Sequence, residues 1–266
     1  MKFWISLRVI IAMYTSLMRK FLKFLLHPLS MLSKHVLSIS LVPTVNSVRR
    51  TTLIDEVHRN AFKSSANYIS QNMDKAVLFD HNTKLWDHAF KQGFIDGLFL
   101  EFGVHRGTSI NYFSRLIAKD NLLQQKFPLI YGFDSFSGLQ EDWAGSINMI
   151  KGYFDLKGKL PKVHNNVELI SGYFSAKLPN FLKEHKDVIS FMHVDADTYQ
   201  STKEVLNSIV GRIRKGTIIV FDEYTGYPGW ENGEFKAWQE IVKKHKIKYN
   251  YLGFSTGPAS LIITKV

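Results

Sequence analysis

The chain has 266 residues, of which 45% are hydrophobic and 14% aromatic, enough to bury one sizeable core and a modest further segment. It has no cysteine, which excludes disulfide frameworks, cysteine nucleophiles, iron–sulfur clusters and thiolate zinc sites. The net charge of +11 is uneven, because residues 1–50 hold eight Lys or Arg and no acidic residue, and the remaining 216 residues carry only +3. The main domain therefore lacks the basic surface of a nucleic-acid-binding protein, and no nucleic-acid partner is predicted.

Residues 1–50 form a separate segment that is rich in Leu, Ile, Phe and Met. At about 100° per residue, its first five basic side chains fall on one side of a helix and apolar side chains gather on the other. This pattern predicts a basic amphipathic helix on an anionic membrane surface, and so a cytoplasmic protein in peripheral contact with a membrane. Two alternatives stay open, a helix packed on the rest of the chain or on a second subunit, and a transmembrane span.

Residues 51–95 follow as a helical region, and Leu85, Trp86 and Phe90 share one apolar face of it. We predict that this region acts as a lid that covers the entrance to a binding site. A separate domain is predicted at residues 96–266.

From residue 98 onward, short apolar runs alternate with helical segments, a pattern typical of parallel strands joined by crossover helices. Strands are predicted at residues 98–103, 129–133, 167–171, 189–195 and 217–222, followed by a hairpin at 248–254 and 259–264. The predicted fold is α/β, a Rossmann-like, seven-stranded, mostly parallel sheet with a C-terminal antiparallel hairpin, preceded by the N-terminal helical segment. Ligands of such sheets bind beyond the carboxyl ends of the strands, so the residues that end each strand are the candidate site.

The first predicted strand ends at Glu101 and Gly103, and Gly107 precedes a helix that starts with Thr108 and Ser109. The two glycines allow a tight turn and a close approach of the backbone to a ligand at the helix start. The spacing lacks the complete glycine pattern of a dinucleotide-binding turn, which disfavours an NAD-dependent dehydrogenase.

The second predicted strand ends at Asp134. An acidic side chain at a strand end can accept hydrogen bonds from both hydroxyls of a ribose. The alternative is that Asp134 caps a helix or closes a turn, roles in which aspartate is common.

Acidic side chains end the next two central strands, at Asp195 and Asp197 and at Asp222 and Glu223. Because neighbouring parallel strands end at one edge of a sheet, Asp195, Asp222 and Glu223 are predicted to converge. Carboxylates brought together repel unless a cation or proton lies between them, and an all-oxygen set suits magnesium better than zinc. The alternative is that Asp197 and Asp222 cap helices. Asp197 and His193 are the candidate general bases, although a histidine on a buried strand is more often a hydrogen-bonded core residue.

These motifs, in this order and spacing, resemble the macrocin O-methyltransferase family of class I S-adenosylmethionine-dependent methyltransferases. The resemblance covers about residues 95–266 and rests on residues 101–109, 131–139, 171–174, 193–202, 216–224 and 233–238. It implies that the methionine end of the cofactor lies at Glu101, Gly103 and Gly107, the ribose at Asp134 and the adenine near Ser135 and Tyr173. It further implies that magnesium is held by Asp195, Asp222 and Glu223. Thr108, Ser109 and Asp195 complete the predicted cofactor-binding set.

One departure from the family pattern lies at the predicted metal site. The macrocin type ends the fifth strand in Asp-Asp, whereas this chain has Asp222-Glu223. Glutamate can ligate magnesium, but its longer side chain shifts the ion.

The predicted function is transfer of a methyl group from S-adenosylmethionine, with magnesium, to a hydroxyl of a sugar, glycan or natural-product acceptor. The metal would lower the pKa of the acceptor hydroxyl and orient its oxygen. Trp143, Tyr227 and Trp230 either form a wall of the acceptor site or pack between a lid and the core. Methyl transfer to nitrogen, and a membrane-associated binding subunit without catalysis, stay open as alternatives, as does a homo-oligomer.

Overall fold

The computed structural model describes residues 52–72 and 75–266. Its sheet consists of β1 (Val77–Leu78), β2 (Leu98–Phe102), β3 (Ile130–Asp134), β4 (Val167–Ser171), β5 (Ile189–Val194), β6 (Ile218–Phe221), β7 (Lys248–Phe254) and β8 (Ala259–Lys265). The strand order across the sheet is β1-β7-β8-β6-β5-β2-β3-β4. Strand β8 pairs antiparallel with β6 and with β7, and every other pair is parallel. The predicted α/β fold, with its mostly parallel sheet and terminal hairpin, is confirmed.

The sheet has one strand more than the seven predicted. The additional strand, β1, pairs with the edge strand β7 and lies in a region predicted to be helical throughout. Both of its residues are exposed, and two residues are too few to show the alternation of polar and apolar side chains that reveals a strand.

Seven α-helices of the described chain surround the sheet. They are α1 (Leu53–Gln71), α2 (Asn82–Phe90), α3 (Thr108–Ala118), α4 (Asn121–Lys126), α5 (Phe174–Glu184), α6 (Tyr199–Ile209) and α7 (Glu234–His245). Helix α1 begins with a capping box, in which Asp55 N–H donates to Thr52 Oγ1 at 3.1 Å and Thr52 N–H donates to Asp55 Oδ2 at 2.9 Å. Thr198 caps α6 by accepting from the Ser201 N–H.

Hydrophobic side chains cover both faces of the central strands. On one face, the Phe99 and Phe191 rings stack at a centroid distance of 4.4 Å, and α2 and α3 pack over them. On the other face, Phe102 stacks on Phe133 at 5.2 Å beneath α5, α6 and α7. Burial on both faces explains why these strands are continuous apolar runs in the sequence.

Helices α1 and α2, from the predicted lid region, pack on the sheet domain. Tyr68 of α1 contacts the Trp230 ring at 5.4 Å, and Trp86 of α2 contacts the His193 ring at 5.5 Å. The predicted cover over the binding-site entrance stays a prediction.

The amphipathic helix, the membrane contact and the segment boundary predicted from residues 1–50 lie outside the described residues. Within residues 52–72 and 75–266, no helix combines the length and apolar character needed to cross a membrane.

Candidate functional site

Strand pairing brings the acidic residues to one edge of the sheet. Val194, the last residue of β5, pairs with Phe221, the last residue of β6, so Asp195 and Asp222 follow at the same level. The Asp195 N–H donates to the carbonyl of Phe102 at 2.8 Å, which ties this position to the neighbouring strand β2. The carboxyl ends of β2, β5 and β6 therefore form one surface, as expected for a ligand site in such a sheet.

Three carboxylates meet at this surface. Asp195, Asp197 and Glu223 each offer an oxygen atom, and these atoms lie within 4.8 Å of one another. We call these three residues the carboxylate cluster. Two of them belong to the predicted metal set, and the third, Asp197, was predicted to be catalytic. The remaining predicted ligand, Asp222, faces His193, with 3.5 Å between Oδ1 and Nε2.

Burial and mutual repulsion disfavour negative charge on the cluster. Burial, followed by the charges of Asp222 and Asp134, raises the pKa of Asp197 to about 7. Burial and then the charge of Asp222 also raise the pKa of Asp195 and of Glu223 well above the ordinary carboxyl value. Such a group of acids is stable only with bound protons or with a cation between the oxygens.

His193 lies behind the cluster, fully buried in β5. Its Nδ1 is 3.2 Å from Glu101 Oε2, and Ser109 Oγ donates to Glu101 Oε1 at 3.0 Å. Burial opposes the charged imidazolium, but hydrogen bonds and charges from Asp222 and Glu101 outweigh it and raise the pKa of His193 well above its ordinary value. His193, Glu101 and Ser109 therefore form a buried polar chain behind the strand ends.

A pocket opens beside the cluster at the carboxyl edge of the sheet. Six of the predicted site residues line it, namely Gly103, Asp134, Ser135, Tyr173, Asp195 and Asp197. The others lie around it. Gly107 is buried at the start of α3, Thr108 is exposed, and Glu101, Ser109 and His193 are in the polar chain described above.

Sequence reasoning missed further pocket residues. They are His105, Gly138, Leu139, Gln140, Phe154, Gly172, Phe174, Ala196 and Ser201. Several of them come from the irregular segment between β3 and β4, which carries no periodic signal. Others, such as His105 and Ala196, lie in the sequence between residues that were predicted. Their position just after a strand end would have been enough to predict them.

The Asp134 carboxylate organises the turn around the pocket. Its Oδ2 accepts from the Val104 and His105 N–H groups at 2.9 and 2.7 Å, and its Oδ1 accepts from the Phe136 N–H at 2.6 Å. Three amide donors hold this carboxylate at the end of β3, beside the glycine turn that follows β2. Asp134 thus combines the turn role with a position on the pocket wall.

The three aromatic residues proposed for the acceptor side occupy two different environments. Trp143 and Tyr227 contact each other at a centroid distance of 5.7 Å, and burial and the charges of Glu234 and Glu223 raise the pKa of the Tyr227 hydroxyl. Tyr227 therefore lies near the carboxylate cluster. Trp230 instead packs in the interior and donates from Nε1 to Ser64 Oγ of α1 at 2.9 Å.

Residues 100–224 match the family described as "Methyltransferase domain". The chain carries a methyltransferase domain. The enzyme class predicted from the sequence is thereby confirmed, and the match does not distinguish the macrocin type from other methyltransferases. No curated protein sequence matches the methyltransferase significantly.

Three solved methyltransferase structures are similar to this chain to different degrees. The crystal structure of CalS11, a calicheamicin methyltransferase, is similar with a TM-score of 0.52 at 21% identity, over 87% of this methyltransferase and 90% of that chain. The O-methyltransferase NovP has a TM-score of 0.48 at 16% identity, over 68% and 77% of the two chains. An O-methyltransferase from Bacillus cereus has a TM-score of 0.44 at 15% identity, over 87% and 96%. At this level of identity, the likeness to CalS11 shows a shared fold.

Proposed function

We propose that this methyltransferase moves a methyl group from S-adenosylmethionine to a hydroxyl oxygen of a sugar, glycan or natural-product acceptor, with magnesium at the carboxylate cluster. The macrocin type of O-methyltransferase is the family that fits this proposal. The observation that carries it is the convergence of three carboxylate oxygens within 4.8 Å beside the pocket.

The residues that line the pocket suit S-adenosylmethionine. Gly103, Gly138 and Gly172 present bare backbone to it, which allows a ligand to approach closely. Among the described residues, Asp134 Oδ1 accepts only the Phe136 N–H and so keeps a lone pair for one ribose hydroxyl. Tyr173 supplies an aromatic ring beside which an adenine could stack. These features support the predicted cofactor.

The cluster suits a hard divalent cation. Its donors are all carboxylate oxygens, and Glu223 Oε2 is buried without a hydrogen-bond partner in the described part of the chain. Asp195, Asp197 and Glu223 would hold the ion, with Asp222 close by. A bound magnesium ion would supply Lewis acidity that lowers the pKa of an acceptor hydroxyl.

Asp197 is the residue best placed to accept the proton of the acceptor. It lines the pocket, and of its two carboxylate oxygens one would bind the ion and the other would accept the proton. Its backbone is left-handed, with φ of 59°, a conformation that costs energy and that the surrounding structure must maintain. His193 is paired with Glu101 and is absent from the pocket lining, so Asp197 is the base in this proposal.

The acceptor class is supported by one comparison and by the aromatic side chains. CalS11, whose fold this chain shares, bears the name of a calicheamicin methyltransferase, which supports an acceptor of natural-product type. Trp143 and Tyr227 lie on the cluster side of the site and would exclude water from it.

Replacing Asp195 with Asn tests the metal assignment. Loss of one carboxylate from the cluster should raise the Kd for Mn²⁺ by at least about tenfold. The Kd for S-adenosylhomocysteine should rise less, because Asp195 is one of several residues that line the pocket. Calorimetric titration of the full chain with each ligand measures both. Asp187→Asn is the matched control, because Asp187 is exposed and lies just before the other end of β5.

Three outcomes would contradict parts of the proposal. Undiminished Mn²⁺ affinity in the Asp195→Asn variant would exclude the cluster as the metal site. Methyl transfer that survives a chelator would favour the metal-free nitrogen methyltransferase. Absence of S-adenosylhomocysteine binding to folded wild-type protein would favour the binding subunit without catalysis.

A further inference from the structure

Glu234 is a fully buried carboxylate for which the proposed reaction has no use. It is the first residue of α7 and follows Gly233. Buried carboxylates are costly unless hydrogen bonds compensate the loss of water, so the partners of this side chain indicate its role.

Both carboxylate oxygens of Glu234 accept hydrogen bonds from the turns that carry the carboxylate cluster. Oε1 accepts from the Ala196 N–H at 3.1 Å and from the Thr202 hydroxyl at 3.4 Å. Oε2 accepts from the Glu223 N–H at 3.1 Å. One side chain thus contacts the turn after β5 and the turn after β6.

The two amide donors belong to the backbone segments that carry the cluster. Ala196 stands between Asp195 and Asp197, and the second donor is the backbone of Glu223. Repulsion among the cluster carboxylates pushes the two turns apart, and the Glu234 side chain ties them together.

We propose that Glu234 is a positioning residue that holds the turns after β5 and β6 at the separation needed for Asp195, Asp197 and Glu223 to share one cation. This inference rests on the proposed function, because it assumes that the cluster binds a metal. Glu234 is not one of the ligands. Amide donors occupy both of its oxygens, and it lies outside the group of oxygens that converge within 4.8 Å.

The local sequence explains how Glu234 reaches this position. A Cβ atom on Gly233 would lie 1.9 Å from the Tyr227 hydroxyl, so a larger residue there would displace the Tyr227 side chain from the entry to α7. The acidic side chain is also favourable in the first turn of a helix, where backbone N–H groups are unpaired.

The Glu234→Gln variant tests the inference. Glutamine has the same shape but only one side-chain oxygen, so its NH₂ group must face one of the two amide donors. One of the two hydrogen bonds is therefore lost. We expect Mn²⁺ affinity of the full chain to fall by at least about tenfold, while the Kd for S-adenosylhomocysteine changes less than about twofold. Amide hydrogen exchange at Ala196 or Glu223, measured without metal, should accelerate at least about tenfold. Glu231→Gln is the matched control, because Glu231 is exposed and precedes α7.

The two readouts separate this inference from the proposed function. Unchanged amide exchange in the Glu234→Gln variant, or unchanged Mn²⁺ affinity, would overturn the positioning role. If wild-type protein bound no Mn²⁺, the metal assignment would fail, and the inference would fail with it because there would be no cation to share. Should the glutamine variant not fold, Glu234→Asp keeps both carboxyl oxygens on a shorter side chain and is expected to change both readouts in the same direction. Wild-type values in a folded Glu234→Asp variant would overturn the inference.

Discussion

Gly103 is the residue at which the end of β2 comes closest to the end of β5. Its φ is +90°, and a Cβ atom there would lie 1.7 Å from the carbonyl oxygen of Asp195. Such a contact involves backbone on both sides, so neither strand end can move away without displacing the cluster. Glycine is needed here for the approach of two strands as much as for the approach of a ligand.

The Gly103→Ala variant should lose about 2 kcal/mol or more of stability, because the added methyl group meets backbone and the left-handed conformation is strained. The Gly93→Ala variant measures the cost of the left-handed conformation without a steric clash. Gly93 has φ of +83°, and no atom of the described chain lies within 4 Å of the place that an added methyl group would occupy. This control should lose only about 1 kcal/mol. Urea unfolding midpoints measure both, and equal losses would contradict the close-approach argument.

At the scale of elements, α1 supports the loop that follows β6. Ser65 Oγ accepts a hydrogen bond from the Gly226 N–H at 2.9 Å and donates to the carbonyl of Ala61 at 2.8 Å. Trp230 donates to Ser64 of the same helix. This helix therefore holds residues 225–230, which lie between the cluster and α7.

Replacing Ser65 with Ala removes the acceptor of the half-buried Gly226 N–H and should cost about 1–2 kcal/mol of stability. The loop after β6 should also become more susceptible to proteases, because one of its hydrogen bonds to α1 is lost. Ser70→Ala is the control. Ser70 is exposed on the same helix and makes the same type of bond to the carbonyl four residues earlier, at 2.7 Å. Unfolding midpoints and limited proteolysis measure the difference, and equal behaviour of the two variants would refute the supporting role of α1.

At the scale of the whole molecule, the buried acids should make stability depend on pH. The pKa of Asp197 is about 7 in the folded protein, and burial is the first cause, whereas an aspartate in the unfolded chain titrates near 4. Between about pH 5 and 7 the folded protein therefore holds a proton that the unfolded chain has released. Stability is highest at the acidic end of this window and falls as the pH rises, by up to about 1.4 kcal/mol per pH unit for each such proton.

Urea unfolding of metal-free protein at pH 5.5, 6.5 and 7.5 measures this dependence. We expect the urea midpoint to fall as the pH rises. Addition of Mg²⁺ at pH 7.5 should recover part of the lost stability, because the cation replaces the proton. Asp197→Asn should make the fall less steep, because one of the protons that the folded protein holds is removed. Stability that rises with pH in metal-free wild-type protein would show that the cluster carboxylates are charged and compensated in the absence of metal.

The sequence by itself determined the class of fold and the edge of the sheet where the site lies. Alternation of apolar runs and helical segments is a local property, and a strand buried on both faces must be apolar along its whole length. The positions of Asp134, Asp195 and Asp222 at strand ends follow from that alternation alone. Strand β1 was not predicted, because two exposed residues are too few to show a pattern of burial.

Only the tertiary structure decided which carboxylates meet and what supports them. The direction of a side chain beyond a strand end depends on the turn that follows, and the left-handed backbone of Asp197 turns it toward Asp195 and Glu223, whereas Asp222 faces His193. The hydrogen bonds of Glu234 also depend on the tertiary structure. In the sequence, Glu234 is 38 residues from Ala196 and 11 residues from Glu223. Contacts between residues so far apart arise from the packing of α7 against two strand ends, and no local pattern in the sequence encodes them.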